Sequence, residues 1–144
     1  MTIHAVLVLI IGLLALMHGP ATAAQPIRLA TVADVPLMVE KAVEQDPHSS
    51  TSVEYTQRFT MLLGQSDTIA LVSEAEGHVN GVLLAARLPG SPAATQDAPY
   101  YIEWSWAAKD HQETIWQALF QELARQAAAR GVSQIAIPAE RRAW

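Results

Sequence analysis

Apolar residues recur along the chain at two alternating spacings, every second residue in some segments and every third or fourth in others. The first spacing is typical of strands and the second of amphipathic helices. This order of segments predicts an α/β or α+β domain, with a sheet of about five strands flanked by three helices. Strand-like runs cover residues 27–30, 68–73, 79–86, 100–106 and 132–137, and helix-like runs begin near residue 32, near residue 52 and after residue 106.

End signals delimit the first two helices. Thr31 stands at an N-cap position with Asp34 three residues later, which approximates a capping box and predicts a helix over residues 32–44. The second helix is predicted over residues 52–63, because Gly64 is typical of a C-terminal stop. Its apolar side chains are expected to share one face: Val53, Phe59, Leu62 and Leu63.

Turn residues divide the strand-like runs. Glu76 and Gly77 supply a turn that joins the two central runs into a hairpin. Residues 88–99 are rich in Pro, Gly, Ala and Ser and predict a mobile surface loop. The strand after this loop is expected to alternate strictly, with Ile102, Trp104 and Trp106 on one face and Tyr101, Glu103 and Ser105 on the other.

A long helix is predicted between the last two strands. Gly131 marks its end, since glycine readily takes the left-handed conformation that commonly closes a helix. Its apolar residues recur at helical spacing, and we expect this stripe to face the core. The stripe consists of Ile115, Trp116, Leu119, Phe120, Leu123 and Ala127.

The N-terminus carries a continuous apolar run, Ala5–Met17, followed by small residues at Ala21 and Ala23. The run is shorter than the roughly 20 residues that span a bilayer, and the small residues match a signal-peptidase site. Residues 1–24 are therefore interpreted as a signal peptide or a hydrophobic anchor ahead of one domain over residues 26–144. This predicts an exported, periplasmic or membrane-associated protein with membrane contact through the run. Since no Lys or Arg precedes the run, a false leader and a cytoplasmic protein are the alternative.

Composition and charge exclude several classes of function. The formal net charge of -5 and the interspersed signs leave no basic stripe, so we expect no nucleic-acid partner. The lack of cysteine excludes disulfides, thiolate nucleophiles and Cys-ligated zinc. His48, His78 and His111 are scattered without the spacing of a metal site, so no metal is expected.

Three segments carry a resemblance to a known family. IRLATVADVPLMVEKA looks like its first strand and helix, TIALVSEAEGHVNGVLLAA like its second and third strands, and ALFQELARQAAARGVSQIAI like its central helix and fifth strand. Over residues 26–137 the chain resembles the GNAT family of N-acetyltransferases. The resemblance implies a central mixed sheet, acetyl-CoA or another acyl-CoA as cofactor, and transfer of the acyl group to an amine of a small molecule or a protein.

The loop before the central helix departs from the family pattern, in which glycines and an Arg or Gln hold the cofactor pyrophosphate. His111 falls at the Arg or Gln position, Thr114 at the first glycine and Trp116 at the second small position. Both small positions are enlarged, and Glu113 adds a negative charge beside an anionic ligand. The alternative is that Ile115 and Trp116 are core residues. The candidate cofactor-binding residues are Trp104, Trp106, His111, Gln112, Glu113, Thr114, Ile115 and Trp116.

Glu103 is the candidate general base, because the resemblance places an acidic residue on the polar side of the fourth strand, where it can take a proton from the amine. Tyr101 is a weaker candidate proton donor, and the alternative for both is an ordinary surface or packing role. Family members continue past the fifth strand into a further helix and strands, whereas this sequence ends at Trp144. The resemblance therefore implies a divergent and C-terminally short member, with no counterpart for the tyrosine acid that those elements often carry.

Two functions follow from these observations. The first is a GNAT-like N-acyltransferase with a degenerate pyrophosphate loop. The second is a non-catalytic, exported or membrane-associated GNAT-like domain that binds a ligand or a protein through its loops. The leader favours the second function, since acetyl-CoA is a cytosolic metabolite. The fold pattern favours the first, although a fold alone does not determine an activity.

Overall fold

The computed structural model describes residues 7–10, 26–87 and 98–137, and in these ranges six strands form one sheet. Along the chain the strands are β1 (Leu7–Ile10), β2 (Ile27–Leu29), β3 (Thr68–Ala75), β4 (His78–Arg87), β5 (Tyr100–Ala107) and β6 (Gln134–Ile137). Their order across the sheet is β1-β6-β5-β4-β3-β2. β5 and β6 run parallel and all other neighbours run antiparallel, so the sheet is mixed, as the resemblance implies.

Three α-helices of the described ranges cover the two faces of the sheet: α1 (Val35–Gln45), α2 (Ser52–Leu63) and α3 (Gln112–Ala129). One core cluster lies between the sheet and α1 and α2, and the other lies between α3 and the opposite face. Successive strand residues alternate between the two clusters, since Leu71 packs in the α3 cluster and Val72 in the α1–α2 cluster. The predicted α+β architecture is confirmed, and β1 adds a strand to the five expected.

The start of α1 follows the predicted capping signal with one change. The Thr31 hydroxyl accepts a hydrogen bond from a helix N–H, and the Asp34 carboxylate accepts one from the Thr31 N–H at 2.7 Å. This capping box closes a 3-10 turn, Val32–Asp34, which continues directly into α1. The helical path therefore begins where the sequence predicts, and its first three residues are wound more tightly.

The bounds of α2 agree with the prediction, but Val53 does not share its buried face. Tyr55, Phe59 and Leu62 are buried at spacings of four and three residues, whereas the Val53 residue is 63% exposed. Two residues along a helix turn the chain by about 200°, so Val53 and Tyr55 point to opposite sides. The placement of Val53 was wrong, and Tyr55 takes its place on the apolar face.

Positive backbone φ angles occur where the sequence predicts turns. Glu76 and Gly77, with φ of 52° and 77°, connect β3 to β4 and confirm the hairpin. At the end of α3, Gly131 has a φ of 76° and the Val132 N–H donates to the Ala127 carbonyl at 2.9 Å. This bond, with the one from Gly131 N–H to Ala128, forms a Schellman motif that satisfies the last carbonyls of the helix.

Gly81 brings α3 close to β4. A Cβ atom at this position would lie inside contact distance of Ile115 Cγ2 and 3.2 Å from Leu119 Cδ1. Glycine therefore lets these two side chains pack directly on the strand backbone. Since both belong to the first half of α3, the contact fixes the position of the helix start relative to the sheet.

β1 lies within the apolar run that was interpreted as a leader. It pairs with β6 antiparallel, with Leu7 opposite Ile137 and Ile10 opposite Gln134. In the described ranges, no helix has the length and apolar character needed to cross a membrane. The rest of the leader and residues 88–97 of the predicted surface loop lie outside the described residues. Cleavage and export stay predictions from the sequence.

A group of three charged side chains ties β2 to the start of α1 and to β3. The Asp34 carboxylate accepts hydrogen bonds from Arg28 Nη1 and Nη2, both at 2.8 Å, and Arg28 Nε donates to Glu74 at 2.7 Å. The Arg28 guanidinium, through these bonds, holds the pKa of Asp34 below its ordinary value. A carboxylate with a lowered pKa stabilises the fold above its unfolded pKa of about 3.9, and this contribution is lost as pH falls through the folded pKa.

We expect Asp34→Asn to lower the free energy of unfolding by about 1.5–3 kcal/mol at neutral pH, since charge-assisted hydrogen bonds to a buried group are lost. Urea denaturation at a series of pH values measures the difference between variant and wild type. The difference should shrink toward acid, because protonation of Asp34 weakens the same bonds in the wild type. Glu40→Gln, which alters an exposed carboxylate of α1, is the control and should change little. A difference that does not vary with pH would contradict the role of the charge.

Candidate active site

β5 pairs with β6 along only part of its length. In the described residues β6 pairs with Tyr100 and Tyr101, whereas β5 continues to Ala107. On its other edge β5 stays paired with β4, up to Ala107 opposite Gly81. The edge of β5 beyond Tyr101 therefore has no strand beside it in the part of the chain that the structure describes. The Ser105 carbonyl accepts a hydrogen bond from Gln45, and the remaining length of the edge can pair with an extended ligand.

α3 begins close to this open edge. Its N-cap residue, His111, has a left-handed φ of 63° and forms no side-chain capping bond. The first amides of a helix have no intrahelical acceptor and carry the positive end of the helix dipole. The N–H groups of Gln112, Glu113 and Thr114 are therefore available to an anion. The Glu113 carboxylate lies in the same turn and disfavours an anion there.

A cavity of about 510 Å³ lies between α1, α2, β5 and the start of α3. Its aromatic lining consists of Tyr55, Phe59, Trp104 and Trp116, and its polar and charged lining consists of Gln45, Asp46, Ser49, Arg58, Glu103, Ser105 and Gln112. The mixture of aromatic walls with a few convergent charged groups is typical of a small-molecule site.

Glu103 lies at a β-bulge in β5, on the wall of the cavity. Leu84 of β4 pairs with Trp104 and the next residue of β4 pairs with Ile102, so Glu103 is an extra residue without a partner in that register. Its Oε2 atom accepts a hydrogen bond from Arg58 Nη2 at 2.8 Å, and its side chain is 26% exposed. The bulge thus directs a carboxylate toward α2 and the cavity.

The same bulge reverses the alternation predicted for β5. Ile102 packs in the α3 cluster, whereas Trp104 packs in the α1–α2 cluster and Trp106 packs against it. Ser105 pairs with Leu83, a residue of the α3 face, and so lies on the opposite face from Glu103. The predicted grouping of Ile102 with the two tryptophans was wrong, because one inserted residue shifts all later side chains to the other face.

Gln45, at the end of α1, fixes the wall of the cavity. Its Oε1 atom accepts a hydrogen bond from Trp104 Nε1 at 2.9 Å, and its Nε2 atom donates to the Ser105 carbonyl at 3.1 Å. The Trp104 ring also lies 5.1 Å from the Phe59 ring, centroid to centroid. One hydrogen bond to Gln45, which is itself held by the Ser105 carbonyl, and one aromatic contact therefore orient Trp104.

The cavity brings together Glu103, Trp104, Gln112 and Trp116 from the residues selected by sequence. The other selected residues lie outside its lining. Tyr101 is half-buried opposite Ala86, and the Trp106 ring lies 5.5 Å from the Lys41 ammonium. Ile115 is fully buried in the α3 cluster. The exposed residues at the start of α3 are His111, Glu113 and Thr114.

Gln45, Asp46 and Arg58 are cavity residues that the sequence analysis did not select. Arg58 falls within a predicted amphipathic helix, where an exposed arginine has no distinguishing feature. Asp46 lies between the two predicted helices, which end at residue 44 and begin at residue 52, and connecting segments often carry functional side chains. This position is the feature by which Asp46 could have been selected from the sequence.

The residues present favour acyl-CoA binding in two respects and oppose it in one. The open edge of β5 can pair with an extended arm, and the first amides of α3 can bind a phosphate. Trp116 lines the cavity together with Gln112, one turn before it on α3, and its ring centroid lies 6.1 Å from that of Phe120. Glu113 is the unfavourable charge. In the described ranges no three His, Cys, Asp or Glu side chains are grouped to hold a metal ion.

No family model matches the chain, and no curated protein is similar enough to match it. Solved structures do match. A predicted acetyltransferase from Clostridium acetobutylicum, determined with acetyl-CoA, is 18% identical over 80% of each chain, with a TM-score of 0.67. A ribosomal-protein-alanine N-acetyltransferase from Brucella melitensis biovar Abortus 2308 is 21% identical over 83% of each chain, with a TM-score of 0.62.

An aminoglycoside 6'-N-acetyltransferase from Acinetobacter baumannii is 15% identical over 83% of this chain and 82% of its own, with a TM-score of 0.64. The chain has the GNAT acetyltransferase fold. The resemblance drawn from the sequence is thus confirmed for the fold. Identities this low do not transfer an activity, so the function of this GNAT fold has to be argued from its own site.

Proposed function

We propose that the chain is an N-acyltransferase that transfers an acyl group from acyl-CoA to an amine held in the cavity beside β5. The observation that supports this best is the convergence of three features in a GNAT fold: the open edge of β5 after Tyr101, the first amides of α3, and a cavity lined by Glu103. They match three needs of the reaction, which are to hold an extended donor, to bind its phosphates and to accept a proton.

Each group has a separate role in this proposal. The acyl-CoA supplies an activated thioester. The backbone of β5 beyond Tyr101 orients it, and the N–H groups of Gln112 and Thr114 bind its phosphates. Glu103 takes a proton from the amine; in the unliganded site its Oε2 is bonded to Arg58, which leaves Oε1 for the proton. Trp104, held by Gln45, forms a rigid wall that limits the access of water.

Titration with acetyl-CoA tests the proposal on the full chain. A ligand at 100 times its dissociation constant stabilises a fold by about 2.7 kcal/mol, and we expect a stabilisation of this size in thermal or chemical denaturation. Thr114→Glu should abolish the effect, because it adds a second carboxylate beside the phosphate site. Gln121→Glu adds the same charge on an exposed part of α3 and should leave binding unchanged. Absence of stabilisation at millimolar acetyl-CoA would overturn the proposal.

A second candidate is a non-catalytic GNAT-like domain. Glu113 in the first turn of α3 favours it, since this charge weakens any phosphate site there. Export or membrane association through residues 1–24 belongs to this candidate, because acetyl-CoA is scarce outside the cytosol. Acetyl-CoA binding without release of free CoA, when amines are supplied, would support this second function over the first.

A further inference from the structure

The cavity is open to solvent and presents charges of both signs beside its aromatic lining. Arg58 supplies a guanidinium to its lining, and Asp46 and Glu103 supply carboxylates. We propose that the acyl acceptor is an aminocarboxylate with an apolar side chain, an α-amino acid or a near analogue. This rests on the proposed function and defines the substrate class for the same site.

The negative side of the cavity can bind an ammonium group, although the exposed Asp46 carboxylate also accepts a hydrogen bond from the His48 N–H at 3.3 Å. Asp46 follows the last turn of α1, and its N–H donates to the Ala42 carbonyl at 3.0 Å. The C-terminus of a helix carries the negative end of the helix dipole, which favours a cation. Ala42, Gln45 and Asp46 of this terminus line the cavity on one side, and Glu103 lines it from the sheet.

Arg58 supplies the positive charge of the cavity. An acceptor that carried only an amine would need no such charge. The Arg58 Nη2 atom donates to Glu103 at 2.8 Å, and in the described residues its Nε and Nη1 atoms have no hydrogen-bond partner. The Arg58 side chain is 51% exposed. An exposed ion pair stabilises a fold little, so a ligand can replace Glu103 as the partner of Arg58 at small cost.

An α-amino acid matches this arrangement because its ammonium and carboxylate are attached to the same carbon atom. The ligand carboxylate binds Arg58 in the bidentate geometry that guanidinium favours, and the ammonium binds Glu103. The bound ligand thereby separates Glu103 from Arg58, and both carboxylate oxygens of Glu103 face the amine. An acceptor without a carboxylate would leave the hydrogen bond between Arg58 and Glu103 in place.

The aromatic walls accept the apolar side chain. Tyr55 and Phe59 are stacked with centroids 5.7 Å apart, and Phe59 meets Trp104 at 5.1 Å. These rings form a continuous row from α2 to β5, and the Gln45 bond fixes its far end. The row is 8%, 1% and 6% exposed at Tyr55, Phe59 and Trp104, so an apolar ligand side chain can pack only on the small part of it that faces the cavity.

The transfer step balances with these groups. Glu103 takes one proton from the ammonium, and the free amine nitrogen forms a bond to the acyl carbonyl carbon. The bond between that carbon and sulfur breaks, and CoA leaves as a thiolate that takes up one proton. The second proton lost by nitrogen passes to solvent, so the products are an N-acyl aminocarboxylate, CoA and one proton.

Three related ligands test the acceptor class by calorimetry on the full chain, with and without CoA: L-phenylalanine, L-phenylalaninamide and 3-phenylpropionate. We expect L-phenylalanine to bind about tenfold to a hundredfold more tightly than the other two, because each of them lacks one charged contact. Arg58→Gln should remove the preference over the amide, and Arg58→Lys should retain part of it. Arg125→Gln, an exposed arginine of α3, is the matched control and should bind like wild type.

Equal or tighter binding of L-phenylalaninamide would overturn the acceptor class and would point instead to a peptide N-terminus. No measurable binding of any of the three would overturn it as well. Both results are distinct from a failure of the proposed function, which is judged by acetyl-CoA binding and by release of free CoA when other amines are supplied. Melting temperatures of the Arg58 variants should equal that of wild type, so a loss of binding would not reflect unfolding.

Discussion

Glu103→Gln should lower kcat for acyl transfer to an amine by about 10²–10⁴-fold, the range typical of losing a positioned general base. The amide keeps the size of the side chain and can still accept a hydrogen bond from Arg58, but it cannot take a proton from the amine. The acetyl-CoA dissociation constant should stay unchanged, since the first amides of α3 and the edge of β5 are untouched. Release of free CoA thiol, followed at saturating acetyl-CoA, measures the effect.

Glu44→Gln is the control for this variant. Glu44 is an exposed carboxylate at the end of α1, 58% exposed in its side chain and paired with Lys41, and it is not part of the cavity lining. It should retain wild-type turnover. If Glu103→Gln also retained turnover, the base would have to be a different group, and Asp46 would be the next residue to substitute.

Phe59→Ala should lower the free energy of unfolding by about 3–5 kcal/mol, as is usual for removal of a buried aromatic ring. Phe59 is 1% exposed and lies between the rings of Tyr55 and Trp104. Its removal leaves a cavity between α2 and the sheet, and Trp104 loses an aromatic contact. Small domains unfold with only about 5–15 kcal/mol, so this one substitution removes a large share of the stability.

Urea denaturation of two further variants tests whether Phe59 belongs to the core between α2 and the sheet. Val53→Ala, on the exposed side of α2, should change the free energy of unfolding by less than about 0.5 kcal/mol. Leu123→Ala, in the α3 cluster, should cost about 2–5 kcal/mol but leave the ligand cavity intact. If Phe59→Ala were as mild as Val53→Ala, the packing of α2 on the sheet would be wrong. Phe59→Ala alone should also weaken L-phenylalanine binding.

The order of strands and helices could be predicted from the sequence because local signals set it. Thr31 and Asp34 form the predicted capping box, Glu76 and Gly77 form the predicted hairpin turn, and Gly131 ends α3 as predicted. Each signal depends on backbone chemistry within a few residues, so no knowledge of distant contacts is needed. The resemblance to the GNAT family depends on this order, and the fold comparison confirms it.

The faces of β5 could not be predicted, because a bulge is a property of two strands. The sequence from Tyr100 to Ala107 shows no irregularity, and the register change appears only when Leu84 and Ala85 are paired with it. The error at Val53 has a different cause, because the helical repeat alone places it about 200° from Tyr55 and so away from the buried face.

The sequence by itself determined the order of the helices and of the strands from residue 27 onward, and with it the GNAT fold, since periodicity and turn chemistry depend on neighbouring residues. It did not predict β1. Only the tertiary structure decided the site. Arg58 and Glu103 are 45 residues apart and Gln45 and Trp104 are 59 apart, and folding joins both pairs at one cavity. In the sequence, a charged residue of an amphipathic helix cannot be distinguished from a solvated surface residue, because its partner is known only from the fold.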